Sequence, residues 1–203
     1  ADTSMTRRME TYSQRVRKSP EFRKFKKNYT QKVSFMKENI NNFITKDEDL
    51  NVDQLLDETL NLFGENSTTI SMFDMLHNMR QIDDSTYAHS VNVALICRVI
   101  GKWKNFSEKD MDTLTLCGLL HDIGKSKIPN EIIGKPGKLT DSEYEEIKKH
   151  PVIGYNLIKN LNLDQRIKNA VLFHHERFDG KGYPLGLTGS EIDDFTSIVS
   201  IAD

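Results

Sequence analysis

Phe22, Phe25, Tyr29, Val33, Met36 and Ile40 recur at spacings of three and four. That is the repeat of one helix face. Similar patterns return further along. Residues 51–63 (NVDQLLDETLNLF) are amphipathic and are punctuated by Gly64, Glu65 and Asn66. Residues 69–80 read as a Met-rich helix. Residues 86–103 are apolar on one face, through Val91, Val93, Ala94, Leu95, Ile96, Val99 and Ile100. Ser107, three before Asp110, gives a capped start to a helix over 107–120. Thr140 and Glu143 form a capping box that opens a helix to about Lys149. Pro151 suits a first helical turn and opens a segment over 151–160, and 164–174 follows. Alternation of period two is short wherever it occurs, and no strand or repeat emerges. The expected fold class is all-α.

The chain of 203 residues is 37% apolar and 29% charged, enough for a core under wet helix faces. Its net charge of −2 argues against strong overall attraction to a nucleic acid polymer. No apolar run approaches the roughly 20 residues that span a bilayer, and the polar start (ADTSMTRRMETYSQ) shows no secretory signal. The first residue is not Met, so a fragment or processed chain is expected. Cys97 and Cys117 both lie in apolar helical patterns without CxxC spacing. They read as buried free thiols, which fits a reducing, cytoplasmic setting.

The first forty residues carry eleven Lys and Arg, from Arg7 and Arg8 to Lys37, against four acids. Two readings stand: a solvated helix with one sticky face, or a helix that contacts a partner domain or a second copy.

Five of the six histidines have telling neighbours. His89 lies beside an apolar stripe. His121 and Asp122 end the apolar run LTLCGLLHDIGK. His150 precedes Pro151, His174 and His175 end another helix, and Asp203 closes SIVSIAD. His77, in SMFDMLHNMR, has no such carboxylate and is left out. One helical His is ordinarily a polar or packed residue. Several imidazoles and carboxylates at helix ends can instead converge in a bundle as a dinuclear site. Such mixed nitrogen and oxygen donors suit Fe, Mn, Zn, Co or Ni rather than Ca or Mg. In FHHERFDGKGYP, Gly180 and Gly182 allow backbone angles and approaches that side chains forbid. By itself GKGYP is a tight turn.

Together, His89–Ser90, HDIGK at 121–125, His150–Pro151, HHE at 174–176, DGKGYP at 179–184 and IAD at 201–203 resemble the HD-GYP family of HD phosphohydrolases, over roughly residues 71–203. The resemblance implies an HD-type helical bundle preceded by an N-terminal region, 1–70, with a regulatory or dimerisation role. A homodimer would form through those N-terminal helices. It also implies hydrolysis of the bacterial second messenger cyclic di-GMP to pGpG and/or GMP. One metal would take His89, His121 and Asp203, and the other His150, His174 and His175. Asp122 would bridge them. Lys125 would face the substrate phosphate, and Gly180, Gly182, Tyr183 and Pro184 would line the substrate site. The expected cofactors are two divalent ions, Fe or Mn. In such a site the two ions would supply Lewis acidity and a water acidic enough to act at neutral pH, and Lys125 would stabilise charge developing on the phosphate or leaving oxygen.

Two departures qualify the pattern. Trinuclear members carry a glutamate four residues before the first histidine. Here that position is Ser85, and Asp83 and Asp84 point elsewhere on a regular helix, so two metals are expected rather than three. Family members also continue past the IAD aspartate, so the domain is expected to be truncated at its C-terminus. The competing readings are a receptor that binds cyclic dinucleotide without turnover, a phosphohydrolase for another cyclic dinucleotide or a dNTP, and a purely structural bundle.

Overall fold

The computed structural model describes residues 10–46, 48–62, 69–80, 82–83 and 85–203, with the backbone alone at 69 and 70. The expected punctuation at Gly64–Asn66, the basic Arg7 and Arg8, and the direction of Asp84 lie outside those residues.

Among the described residues the architecture is helical, as the periodicity indicates. The basic N-terminal stretch forms two helices, α1 (Tyr12–Lys18) and α2 (Pro20–Lys46). The break comes from Pro20. Proline disfavours helical angles in the residue before it, and Ser19 is extended at φ −65°, ψ 147°. Pro20 itself fits the first turn of α2, where a missing N–H costs nothing. The Phe22-to-Ile40 stripe is the buried face of α2. Tyr29 is fully buried, with its hydroxyl 2.8 Å from the Ala88 carbonyl oxygen and 2.7 Å from the Asn92 side-chain oxygen.

Helices α3 (Val52–Leu60) and α4 (Thr69–Arg80) lead to α5 (Thr86–Trp103) and α6 (Glu108–Leu120), which pack closely as the centre of the domain. A 3-10 turn over Ile123–Lys127 and the short α7 (Asn130–Ile133) follow. Then come α8 (Asp141–Ile147), α9 (His150–Ile158), α10 (Gln165–Phe173) and α11 (Asp194–Ala202). The cap expected at Ser107 is present, its hydroxyl accepting from the Asp110 N–H. The capping box of Thr140 and Glu143 is also present.

Helix α10 lies against α6, α9 and α11, and α11 returns to α5 and α6. The ends of α6, α8, α10 and α11 meet at the first turn of α5, where His89 lies. The 3-10 turn after α6 packs on α9, where a Cβ on Gly124 would lie only 1.9 Å from the His150 carbonyl oxygen. Only glycine permits that approach. Cys97 and Cys117 are buried free thiols. No described helix is long and apolar enough to cross a membrane.

Candidate metal centre

Three helix ends present their histidines by one local device. At a helix C-terminus the last carbonyls have no intrahelical donor. His121 Nδ1–H donates to the Gly118 carbonyl at 2.7 Å, His150 to Ile147 at 2.7 Å, and His174 is shared between Val171 at 3.1 Å and Ala170 at 3.0 Å. In each case a carbonyl three residues back accepts. The bond satisfies an orphan carbonyl, places a proton on Nδ1, and turns Nε2 inward. All three rings are buried.

Asp122 begins the 3-10 turn, and its buried carboxylate lies between two groups of histidines. Its Oδ1 is 3.2 Å from His150 Nε2 and 3.8 Å from His174 Nε2. Its Oδ2 is 3.4 Å from His121 Nε2 and 3.9 Å from His89 Nε2, and accepts from Lys125 Nζ at 2.6 Å. On the far side, α11 ends with Asp203 Oδ1 2.6 Å from His89 Nε2 and 3.5 Å from His121 Nε2. Two sets of donor atoms result, each with its members within 4.8 Å of one another: Asp122, His150, His174 and His175, and His89, His121 and Asp203.

The charges favour a cation here. Burial keeps His174 well below the usual imidazole range, and lowers His175 to about 4, so both rings stay neutral as ligands must. For His121, burial opposes charge, but Asp122 and Asp203 outweigh it and raise the pKa to about 10. Asp122 and Asp203 are both held low despite burial, chiefly by His121. His121 Nε2 and Asp122 Oδ1 are buried without a hydrogen-bond partner, which costs about 1–3 kcal/mol each when nothing else satisfies them. His150 Nε2 and His174 Nε2 face each other at 3.1 Å while both Nδ1–H groups donate elsewhere. Lone pairs so placed, beside carboxylates, fit divalent cations.

The centre opens into a cleft of about 930 Å³ that Lys125, His175, Tyr183 and Asp203 help to line. Of the four residues expected at the substrate site, Gly182 and Tyr183 line this cleft, while Gly180 and Pro184 are not among its lining residues. Gly180 has φ +71°, and a Cβ on Gly182 would fall 2.4 Å from Glu176 Cα. The Tyr183 ring stacks on His175 with centroids 4.7 Å apart, and the Lys148 ammonium lies 5.4 Å from the Tyr183 ring centroid. The Tyr183–Pro184 peptide is cis. Ser85 spends its hydroxyl on the α5 cap, accepting from the Ala88 N–H. His77 is exposed and belongs to neither donor set.

Two supporting residues escaped the sequence reading. Ser200 donates to the His174 carbonyl at 2.6 Å and ties α11 to that histidine. Glu176 is buried and accepts from three loop amides. The only hint of the latter was its place directly between the paired histidines and the glycine-rich turn.

A family model described as HD domain matches residues 52–203. The chain is 34% identical over 129 residues to cyclic di-GMP phosphodiesterase PA4108 of Pseudomonas aeruginosa, covering 63% of this chain and 31% of that protein. It is 40% identical over 118 residues to 3′3′-cGAMP-specific phosphodiesterase 1 of Vibrio cholerae, covering 58% and 27%. It is 36% identical over 124 residues to the cyclic di-GMP phosphodiesterase response regulator RpfG of Xanthomonas campestris pv. campestris, covering 60% and 32%. The chain thus spans about a third of the length of these relatives. Among solved structures, Bd1817, an HDG"Y"P protein from Bdellovibrio bacteriovorus, has the same fold at a TM-score of 0.65 and 20% identity, covering 99% of this chain and 61% of that one.

Proposed function

The chain belongs to the HD domain family, and from that membership we propose that it hydrolyses cyclic di-GMP to pGpG and/or GMP. The observation that carries the proposal is the position of Asp122, whose two oxygens face two different sets of histidines at the base of an open cleft. The names of the relatives from Pseudomonas and Xanthomonas support the same substrate.

In this reading His89, His121 and Asp203 hold one divalent ion, and His150, His174 and His175 hold the other, with Asp122 between them. Fe or Mn fits this neutral-imidazole and carboxylate set. When bound, two such ions supply Lewis acidity and a water acidic enough to act at neutral pH. The remaining work falls to the protein. Lys125 lines the cleft and holds one Asp122 oxygen, so its ammonium is near enough to meet a substrate phosphate. Gly180, Gly182, Tyr183 and Pro184 shape the wall against which the dinucleotide is oriented. The helix-end carbonyls keep the three buried rings in the ligand tautomer. We place the protein in the cytoplasm, where its two free thiols suit the redox setting. The basic helices α1 and α2 are the proposed contact for a homodimer.

A second reading is a mixed cyclic dinucleotide. The Vibrio relative named for 3′3′-cGAMP is 40% identical over its aligned part. Parallel turnover of cyclic di-GMP and 3′3′-cGAMP, followed by chromatography, separates the two. Faster loss of cyclic di-GMP is expected, and turnover of 3′3′-cGAMP alone would replace the first reading with the second.

A further inference from the structure

Glu176 is buried, at 5% exposure, and the neighbouring Arg177 pairs with Asp179. Its partners are three consecutive backbone amides. Oε1 accepts from Leu185 N–H at 2.6 Å and Gly186 N–H at 3.1 Å, and Oε2 accepts from Leu187 N–H at 2.9 Å. A buried carboxylate is costly unless its lone pairs are used, and here they are used entirely on the segment that follows Tyr183 and Pro184.

The loop closes on Glu176 from its other side too. Tyr183 N–H donates to the His175 carbonyl at 3.2 Å, and Gly180 N–H donates to the Arg177 carbonyl at 2.9 Å. Gly182 lies so close to Glu176 Cα that no side chain would fit between them. The segment 180–187 is therefore wrapped around one side chain. That side chain is covalently next to His175, whose ring carries the stacked Tyr183.

We propose that Glu176 is a positioning residue: by gathering the Leu185, Gly186 and Leu187 amides it holds the cleft loop, and with it Tyr183, in register with the His175 ring. It touches neither substrate nor metal in this role. The proposal rests on the cyclic di-GMP reading only for its effect on turnover, since the loop anchor itself is independent of which substrate enters.

The geometry makes the consequence of substitution specific. Glu176→Gln keeps the shape but turns one acceptor oxygen into an N–H donor, which faces one or two amide donors. Glu176→Asp keeps the carboxylate and withdraws it by one methylene. The test uses the whole chain loaded with Mn(II), with metal content and far-UV circular dichroism measured first. Hydrogen exchange at Leu185, Gly186 and Leu187 is then compared with exchange in α10. In Glu176→Gln the three loop amides should exchange about ten-fold faster, with α10 unchanged. Glu176→Asp should fall between Gln and the wild type. With cyclic di-GMP, KM should rise about ten-fold while kcat stays within about two-fold, the split expected when the displaced loop weakens binding of substrate and transition state alike.

Unchanged exchange at the three amides overturns the anchor. Faster exchange with KM and kcat both unaltered overturns the positioning role. Loss of Mn(II) together with helical signal in Gln and Asp alike would mean that Glu176 supports the fold at large, and also overturns it. If the wild type itself leaves cyclic di-GMP intact, the phosphodiesterase reading falls, and the exchange result still decides whether Glu176 sets the loop.

Discussion

Gly124 meets the backbone of His150 so closely that a Cβ there would lie 1.9 Å from the His150 carbonyl oxygen and 2.6 Å from the Gly154 nitrogen. This contact seats the turn that carries Asp122 against the helix that carries His150. Their side chains are 3.2 Å apart in consequence. Gly124→Ala forces backbone apart, and overpacking of this kind costs about 1–3 kcal/mol. At this chain length that is about 2–4 °C of Tm per kcal/mol. Thermal denaturation should show the fall, and metal analysis should show weaker retention of the ion held with His150.

Asp122 faces both donor sets, so its removal should be felt by both. Asp122→Ala is expected to lose both metals and all turnover, and His121→Ala to do the same. Lys125→Ala should keep its metals and lose rate, by about 10²-fold or more if the ammonium stabilises transition-state charge. Metal analysis beside steady-state kinetics distinguishes the two classes. Full activity in Lys125→Ala would remove the role assigned to it.

Chelation should lower stability, because the proposed ligands of each site come from helices far apart in sequence. His89 and Asp203 belong to α5 and α11. A ligand present at about 100 times its Kd adds about 2.7 kcal/mol per site to the folded state. Treatment with EDTA should lower the Tm, and Mn(II) or Fe(II) should restore it. Equal Tm values with and without chelator would contradict the assignment of these residues.

The capping box of α8 gives a pH-dependent stability that does not involve the metal centre. The Lys135 ammonium, followed by the Thr140 N–H, lowers the Glu143 pKa from 4.5 to about 2. A carboxyl with a depressed folded-state pKa stabilises the fold above its unfolded value, and that contribution is lost as pH falls through the folded value. Glu143→Gln should therefore have a lower Tm than the wild type at neutral pH. The difference should shrink between pH 4.5 and about 2. A gap that is constant across this window would show that the cap contributes nothing through charge.

The all-α class was legible because its signals are local. The α2 stripe, the Ser107 cap and the Thr140–Glu143 box need only near neighbours in the chain. The candidate donors were legible as a pattern of histidines at helix ends, and the structure brings those seven residues together. What the pattern did not contain was the packing that aims them. Gly124 against His150, and Ser200 on the His174 carbonyl, join segments 26 or more residues apart. Glu176 was hidden for another reason. A carboxylate beside two histidines looks like a further ligand or a surface charge, and its true partners are backbone amides, which leave no mark in residue identity. The break at Ser19 was readable from Pro20 but lay within a stretch taken as one basic region.

Turnover by the metal-loaded protein decides whether these residues form a phosphodiesterase centre. The chain would be purified anaerobically, given Fe(II) or Mn(II), and incubated with cyclic di-GMP, with Asp122→Ala treated identically. The account predicts two ions per chain and conversion to pGpG and/or GMP, both lost in Asp122→Ala. Two bound ions with cyclic di-GMP left intact would contradict it.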